Sequence, residues 1–95
     1  MKKLKNGWAE GSVRDFLSLS EADMEYIEAR RALSKQLRKE RLKKHLTQID
    51  LATVLKTSQS RVAKMEKGDP TVSLDLLIQA LFRIGIKWKD LAALI

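Results

Sequence analysis

The run from Leu46 to Gly68, LTQIDLATVLKTSQSRVAKMEKG, constrains the fold of this chain more than any other. Its local signals specify two short helices and leave only two residues for the turn between them. Thr47 is a hydroxyl cap for a helix over Gln48 to Leu55, in which Leu51, Ala52 and Leu55 share one face. Lys56-Thr57 forms the turn, and Ser58 caps the following helix. Helices joined this closely cross steeply, and Ala52 is small enough to let them approach.

The second of these helices is two-sided. On a wheel of 100° per residue with Gln59 at the origin, Val62, Met65 and Glu66 fall between about 240° and 340°. Ser60, Arg61, Ala63 and Lys64 fall between about 40° and 200° on the same wheel. One face is therefore mostly core, and the other presents polar side chains. Gly68-Asp69-Pro70 stops the helix, with glycine in the usual stop position and proline unable to continue. Ser73 then caps an apolar helix carrying Leu74, Leu77, Ile78, Leu81 and Ile84 and closed by Gly85. A final helix over Lys87 to Ile95 places Trp88, Leu91, Ala92, Leu94 and Ile95 at helical spacing.

Before the helix pair, Ser20-Glu21-Ala22-Asp23 has the form of a helix start, a hydroxyl followed three residues later by a carboxylate. A long helix is expected from Ser20 to Lys44, with Ile27, Leu33 and Leu37 inward and Arg30, Lys35, Arg38, Lys39 and Lys43 outward. His45 stands where a helix-ending residue with positive φ is common. Tyr26 and Trp88 are read as packing residues, because neither lies on the polar face of the second short helix. Residues 1–19 carry Trp8, Val13, Phe16, Leu17 and Leu19 without sustained helical spacing, and are expected to form an irregular arm. The expectation is an all-α chain of five helices, with an arm over 1–19 and one domain over 20–95.

Composition narrows the function. At 95 residues with 44% hydrophobic and 33% charged side chains, the chain suits one folded domain. It contains no cysteine and a single histidine, which leaves no disulfide framework, no thiolate zinc site and no cysteine or histidine dyad for catalysis. There is no glycine-rich phosphate loop, so an enzyme is not expected, and neither is a metal or organic cofactor. No apolar run approaches the roughly 20 residues of a membrane span, and no apolar signal core follows Met1 to Lys5. A cytoplasmic location is expected. Charge is unevenly placed: residues 1–28 carry four Lys or Arg and six Asp or Glu, whereas residues 29–95 carry fifteen and six. The basic excess thus lies with the helix pair, where phosphate contact is its natural use. No aromatic platform accompanies it, which disfavours single-stranded RNA.

Residues 46–68 resemble the helix-turn-helix of the XRE-like family, which includes the lambdoid phage repressors and Cro proteins. The resemblance rests on Leu46-Thr47-Gln48, Leu51-Ala52, Thr57-Ser58-Gln59-Ser60, Val62 and Glu66-Lys67-Gly68, and extends more loosely over residues 30–95. Lys56 departs from it, since the family commonly has glycine in that turn. The resemblance implies a lambda-repressor-like fold in which the second helix enters the major groove of DNA. Gln59, Ser60, Ala63 and Lys64 then become the base-contacting positions. Glutamine can pair bidentately with adenine, serine can donate or accept, lysine can reach guanine or phosphate, and alanine permits close approach to a thymine methyl. Gln48 matches the family's phosphate-contacting glutamine, and Lys56 and Arg61 are further phosphate candidates. Arg41 and Glu66 match positions that form a partly buried ion pair in the phage repressors.

Such a module would act as a homodimer on a palindromic operator, since two recognition helices roughly 34 Å apart double the base pairs read. Trp88, Leu91, Leu94 and Ile95 are the candidate dimer seam, with completion of the monomer core as the alternative. The layout is most similar to the HigA-type antitoxins, which would add a RelE-like ribonuclease toxin as partner and repression of the protein's own operon. The acidic stretch Glu10, Asp15, Glu21, Asp23, Glu25 and Glu28, beside Trp8 and Phe16, would then meet a basic toxin surface. A free-standing phage-type repressor or controller protein, or an interaction module without specific DNA binding, is the alternative.

Overall fold

A computed structural model describes the backbone of residues 8–94 and the side chains of residues 20–93. Among the described residues there are five helices and no strand: α1 (Trp8–Lys43), α2 (Gln48–Leu55), α3 (Gln59–Lys67), α4 (Leu74–Arg83) and α5 (Trp88–Leu94). None is long and apolar enough to cross a membrane.

α1 corrects the expected arm. The helix does not begin at Ser20 but is already formed at Trp8, and runs 36 residues, roughly 54 Å at 1.5 Å per residue. A hydroxyl three residues before a carboxylate ends a helix only if the preceding chain leaves helical geometry. Between Trp8 and Ser20 there is no proline, and Gly11 alone costs only about 1 kcal/mol. Residues 1–7 of the expected arm lie outside the described residues.

The inward set of α1 also differs. Leu33 and Leu37 are buried, but Ile27 is 37% exposed because the other helices do not reach that far along α1. Arg30, expected outside, is buried at the domain edge, its guanidinium 5.0 Å from the ring centre of Tyr26. Lys35, Arg38, Lys39 and Lys43 are exposed.

The remaining boundaries follow their caps. Thr47, Ser58 and Ser73 each sit in extended backbone and accept a hydrogen bond from the N–H three residues on, in Asp50, Arg61 and Leu76. Asp50 returns the bond by accepting from the Thr47 N–H at its carboxylate, and that bond first, with the Thr47 side chain second, holds the carboxyl below the usual carboxylate range. His45 ends the α1 turn at φ 58°, and Lys56 ends α2 at φ 58°, ψ 48°. Gly85 follows α4 at φ 111°, a conformation only glycine takes without strain.

α4 packs against α1 and α2, while α3 packs against both of those helices, so α4 closes the core beneath the helix pair. Leu37, Leu51, Val62, Met65, Leu77 and Leu81 fill that core. α5 contributes Leu91, which is 1% exposed, and leaves Trp88 67% exposed. Of the expected dimer seam, Leu91 therefore belongs to the monomer core, the alternative reading of that helix, because its side chain joins the cluster of Leu77 and Leu81. Trp88, expected to pack, stands largely exposed among the described residues. The side chains of Leu94 and Ile95 lie outside the described set.

Candidate nucleic-acid interface

The exposed side of α3 is held to the rest of the domain by a chain of four side chains. Arg41, on α1, donates from Nε to Glu66 Oε2 at 2.7 Å and from Nη2 to Oε1 at 3.0 Å, a bidentate pair with both side chains nearly out of solvent. Its Nη1 donates to the Leu46 carbonyl at 2.8 Å, so one guanidinium fastens α3 and the start of α2 to α1. The bond to Glu66 raises the Arg41 pKa further, against the opposing effect of burial.

Glu66 Oε1 also accepts from Gln48 Nε2 at 3.2 Å, and Gln48 Oε1 accepts from Gln59 Nε2 at 3.1 Å. The first residue of α3 is thereby oriented by the first residue of α2, which is oriented by the ion pair. One N–H and the carbonyl oxygen of Gln59 remain free, the donor and acceptor that a bidentate contact with adenine uses. Gln48 keeps one N–H free, enough for a single phosphate oxygen.

Gln59, Ser60 and Lys64 are exposed and Ala63 is half-buried, along one side of α3. Arg61 stands between that side of α3 and α4. It lines one cleft with Lys56, Thr57 and Arg83, and another with Ser58, Lys64 and Thr71. Lys56 and Arg61 thus share a cleft at the turn, whereas Gln48 stands on the opposite side with the glutamine pair. After α3, Asp69 accepts from both the Thr71 N–H and hydroxyl, at 2.8 Å and 2.6 Å. Those bonds, with Lys64 and Lys67 nearby, keep its carboxyl ionised below the ordinary range.

Three features escaped the sequence reasoning. Lys67 lies about 80° round the α3 wheel from Gln59, between Ala63 and Ser60, and the periodicity alone would have found it. Arg83, beside Lys56 and Arg61, has no signal in the local sequence. The Gln48–Gln59 bond joins residues eleven apart, and likewise needs the folded helix pair.

Residues 37–91 match the family model described as Helix-turn-helix, of the XRE type, over more than half of the chain. The chain belongs to this helix-turn-helix family. The match begins within α1 and ends in α5, so it takes in all four elements that build the polar face. The helix-turn-helix protein is accordingly a DNA-binding transcription regulator, of a family typically without catalytic activity. No curated protein and no solved structure matches it significantly.

Proposed function

We propose that this helix-turn-helix protein is a sequence-specific regulator that binds a palindromic operator as a homodimer in the cytoplasm. α3 enters the major groove, where Gln59, Ser60 and Lys64 contact base edges and Ala63 allows close approach. Gln48, Lys56 and Arg61 hold phosphates on either side. The observation that carries this reading is the hydrogen-bonded chain from Arg41 through Glu66 and Gln48 to Gln59. A solvated helix start has no need of a buried ion pair to orient its first side chain, whereas a base-reading amide does. Among the described side chains of the expected seam Trp88 is left open, and the 42% exposed Phe82 adds a second aromatic as a dimer contact.

Selection from a random duplex pool tests the proposal. The expected product is a palindrome with half-sites about one helical turn apart, lost with Gln59→Ala. No enrichment over random duplex overturns it.

One observation favours a finer reading as the antitoxin of a HigB/HigA-type pair that represses its own operon. The first part of the chain is acidic, and α1 there exposes Met24 (64%), Tyr26 (45%) and Ile27 with no other helix upon them. An acidic, apolar segment projecting from a basic domain suits a basic protein such as a RelE-like ribonuclease toxin. Co-purification with the product of the neighbouring gene is expected, and is expected to fail on deleting residues 1–19. A free-standing phage-type repressor binds the operator without such a partner.

A further inference from the structure

Five of the cations that lie outside the recognition face are gathered in one place. Arg31, Lys35, Arg38 and Lys39 of α1 face Lys67 at the end of α3 across a shallow groove. On the α1 wheel the four fall within about 100° of one another, one side of the helix. None of the five makes an ion pair among the described residues. Two carboxylates border the groove, Glu28 and Glu66, and Glu66 is already neutralised by Arg41. On the floor, the buried Ser34 hydroxyl has no hydrogen-bond partner among the described residues.

Two features relate the groove to DNA. Lys67 belongs both to its wall and to the side of α3 that carries Ser60 and Ala63, so this one residue links the groove to the recognition face. The side of α1 that carries the four cations changes sign just N-terminal to them, where Glu21, Glu25 and Glu28 stand. The positive field therefore ends at Arg31, within the folded domain.

We infer that this groove binds the phosphodiester backbone of the operator flank, beyond the base pairs that α3 reads. The inference rests on the proposed operator binding and adds a second point of contact to it. The groove offers ammonium and guanidinium groups on flexible exposed stems, which suit phosphates and carry no base code. It lengthens the footprint and leaves sequence preference to α3.

The test compares the full chain with Arg31→Gln/Lys35→Gln and, as a control of equal charge loss, Lys44→Gln/Lys89→Gln. All four residues are exposed and glutamine is a good helix former, so melting temperatures are expected to be unchanged. Affinity is measured against salt on the selected operator, once trimmed to the palindrome and once with flanks. On the flanked duplex the groove variant loses roughly two units of log–log salt slope per subunit, at about 0.9 per phosphate contact, while the control keeps the wild-type slope. On the trimmed duplex all three proteins agree, and the preference for operator over scrambled sequence is retained throughout. An unchanged slope for the groove variant on the flanked duplex overturns the inference. So does an equal loss in the control, or loss of binding to an acidic protein partner in place of the slope change. A wild-type chain that selects no operator overturns the operator reading itself.

Discussion

Gln59 donates to Gln48 across the turn at 3.1 Å, so the side chain best placed to read a base does not orient itself. Gln48 donates in turn to Glu66, which places the proposed phosphate contact and the proposed base contact in one hydrogen-bonded unit. Gln48→Ala is therefore expected to act on sequence preference as well as on affinity. The variant should lose about 1–3 kcal/mol of discrimination at the base contacted by Gln59, close to the loss in Gln59→Ala. Competition binding against operators changed one base pair at a time checks this; a uniform weakening across all sequences would reduce Gln48 to a phosphate contact.

Glu66→Gln should destabilise the fold while Gln59→Ala should not. Removing the carboxylate leaves the Arg41 guanidinium buried without a counter-charge, at a cost on the order of 3 kcal/mol or more. For a domain of this size that lowers Tm by more than about 10 °C. Thermal melts of both variants decide the matter, and equal Tm values would show that the pair is not structural.

Lys56→Gly should separate stability from binding. Lys56 sits in the left-handed region, where a side chain costs about 1 kcal/mol relative to glycine. Relieving it should raise Tm by about 4–8 °C. The same change removes a cation from the cleft shared with Arg61, so affinity for DNA should fall and its salt dependence should become shallower. A variant that is more stable and binds as tightly as before would remove Lys56 from the phosphate contacts.

Trp88 and Leu91 of α5 should behave oppositely. Leu91→Ala opens the core and is expected to cost about 2–5 kcal/mol, seen as a lower Tm. Trp88→Ser touches a side chain outside the core and should leave Tm of the monomer nearly unchanged. It should instead convert the proposed dimer to monomer in sedimentation and weaken operator binding. A dimer that survives Trp88→Ser places the seam elsewhere.

Much of the polar face was legible because its determinants are local. Thr47, Ser58, Gly68 and Ser73 mark the ends of α2, α3 and α4 through hydrogen bonds within three or four residues, and the wheel of α3 separates Val62 and Met65 from Ser60 and Lys64. The start of α1 was not legible, because Ser20 to Asp23 reads as a cap whether or not the preceding residues are helical. Ile27 and Arg30 were misplaced for a related reason. Periodicity tells which side of a helix is apolar but not how much of its length the neighbouring helices cover.

By itself the sequence determined the helix-turn-helix: its turn, its caps, its basic setting and the residue types offered along α3. These depend on backbone propensity and short-range hydrogen bonding, which a local stretch specifies. Only the tertiary structure decided that Gln48 holds Gln59, that Leu91 is core while Trp88 is surface, and that Lys67 shares a groove with the cations of α1. Those relations join residues on different helices, and exist only where helix packing brings the helices together.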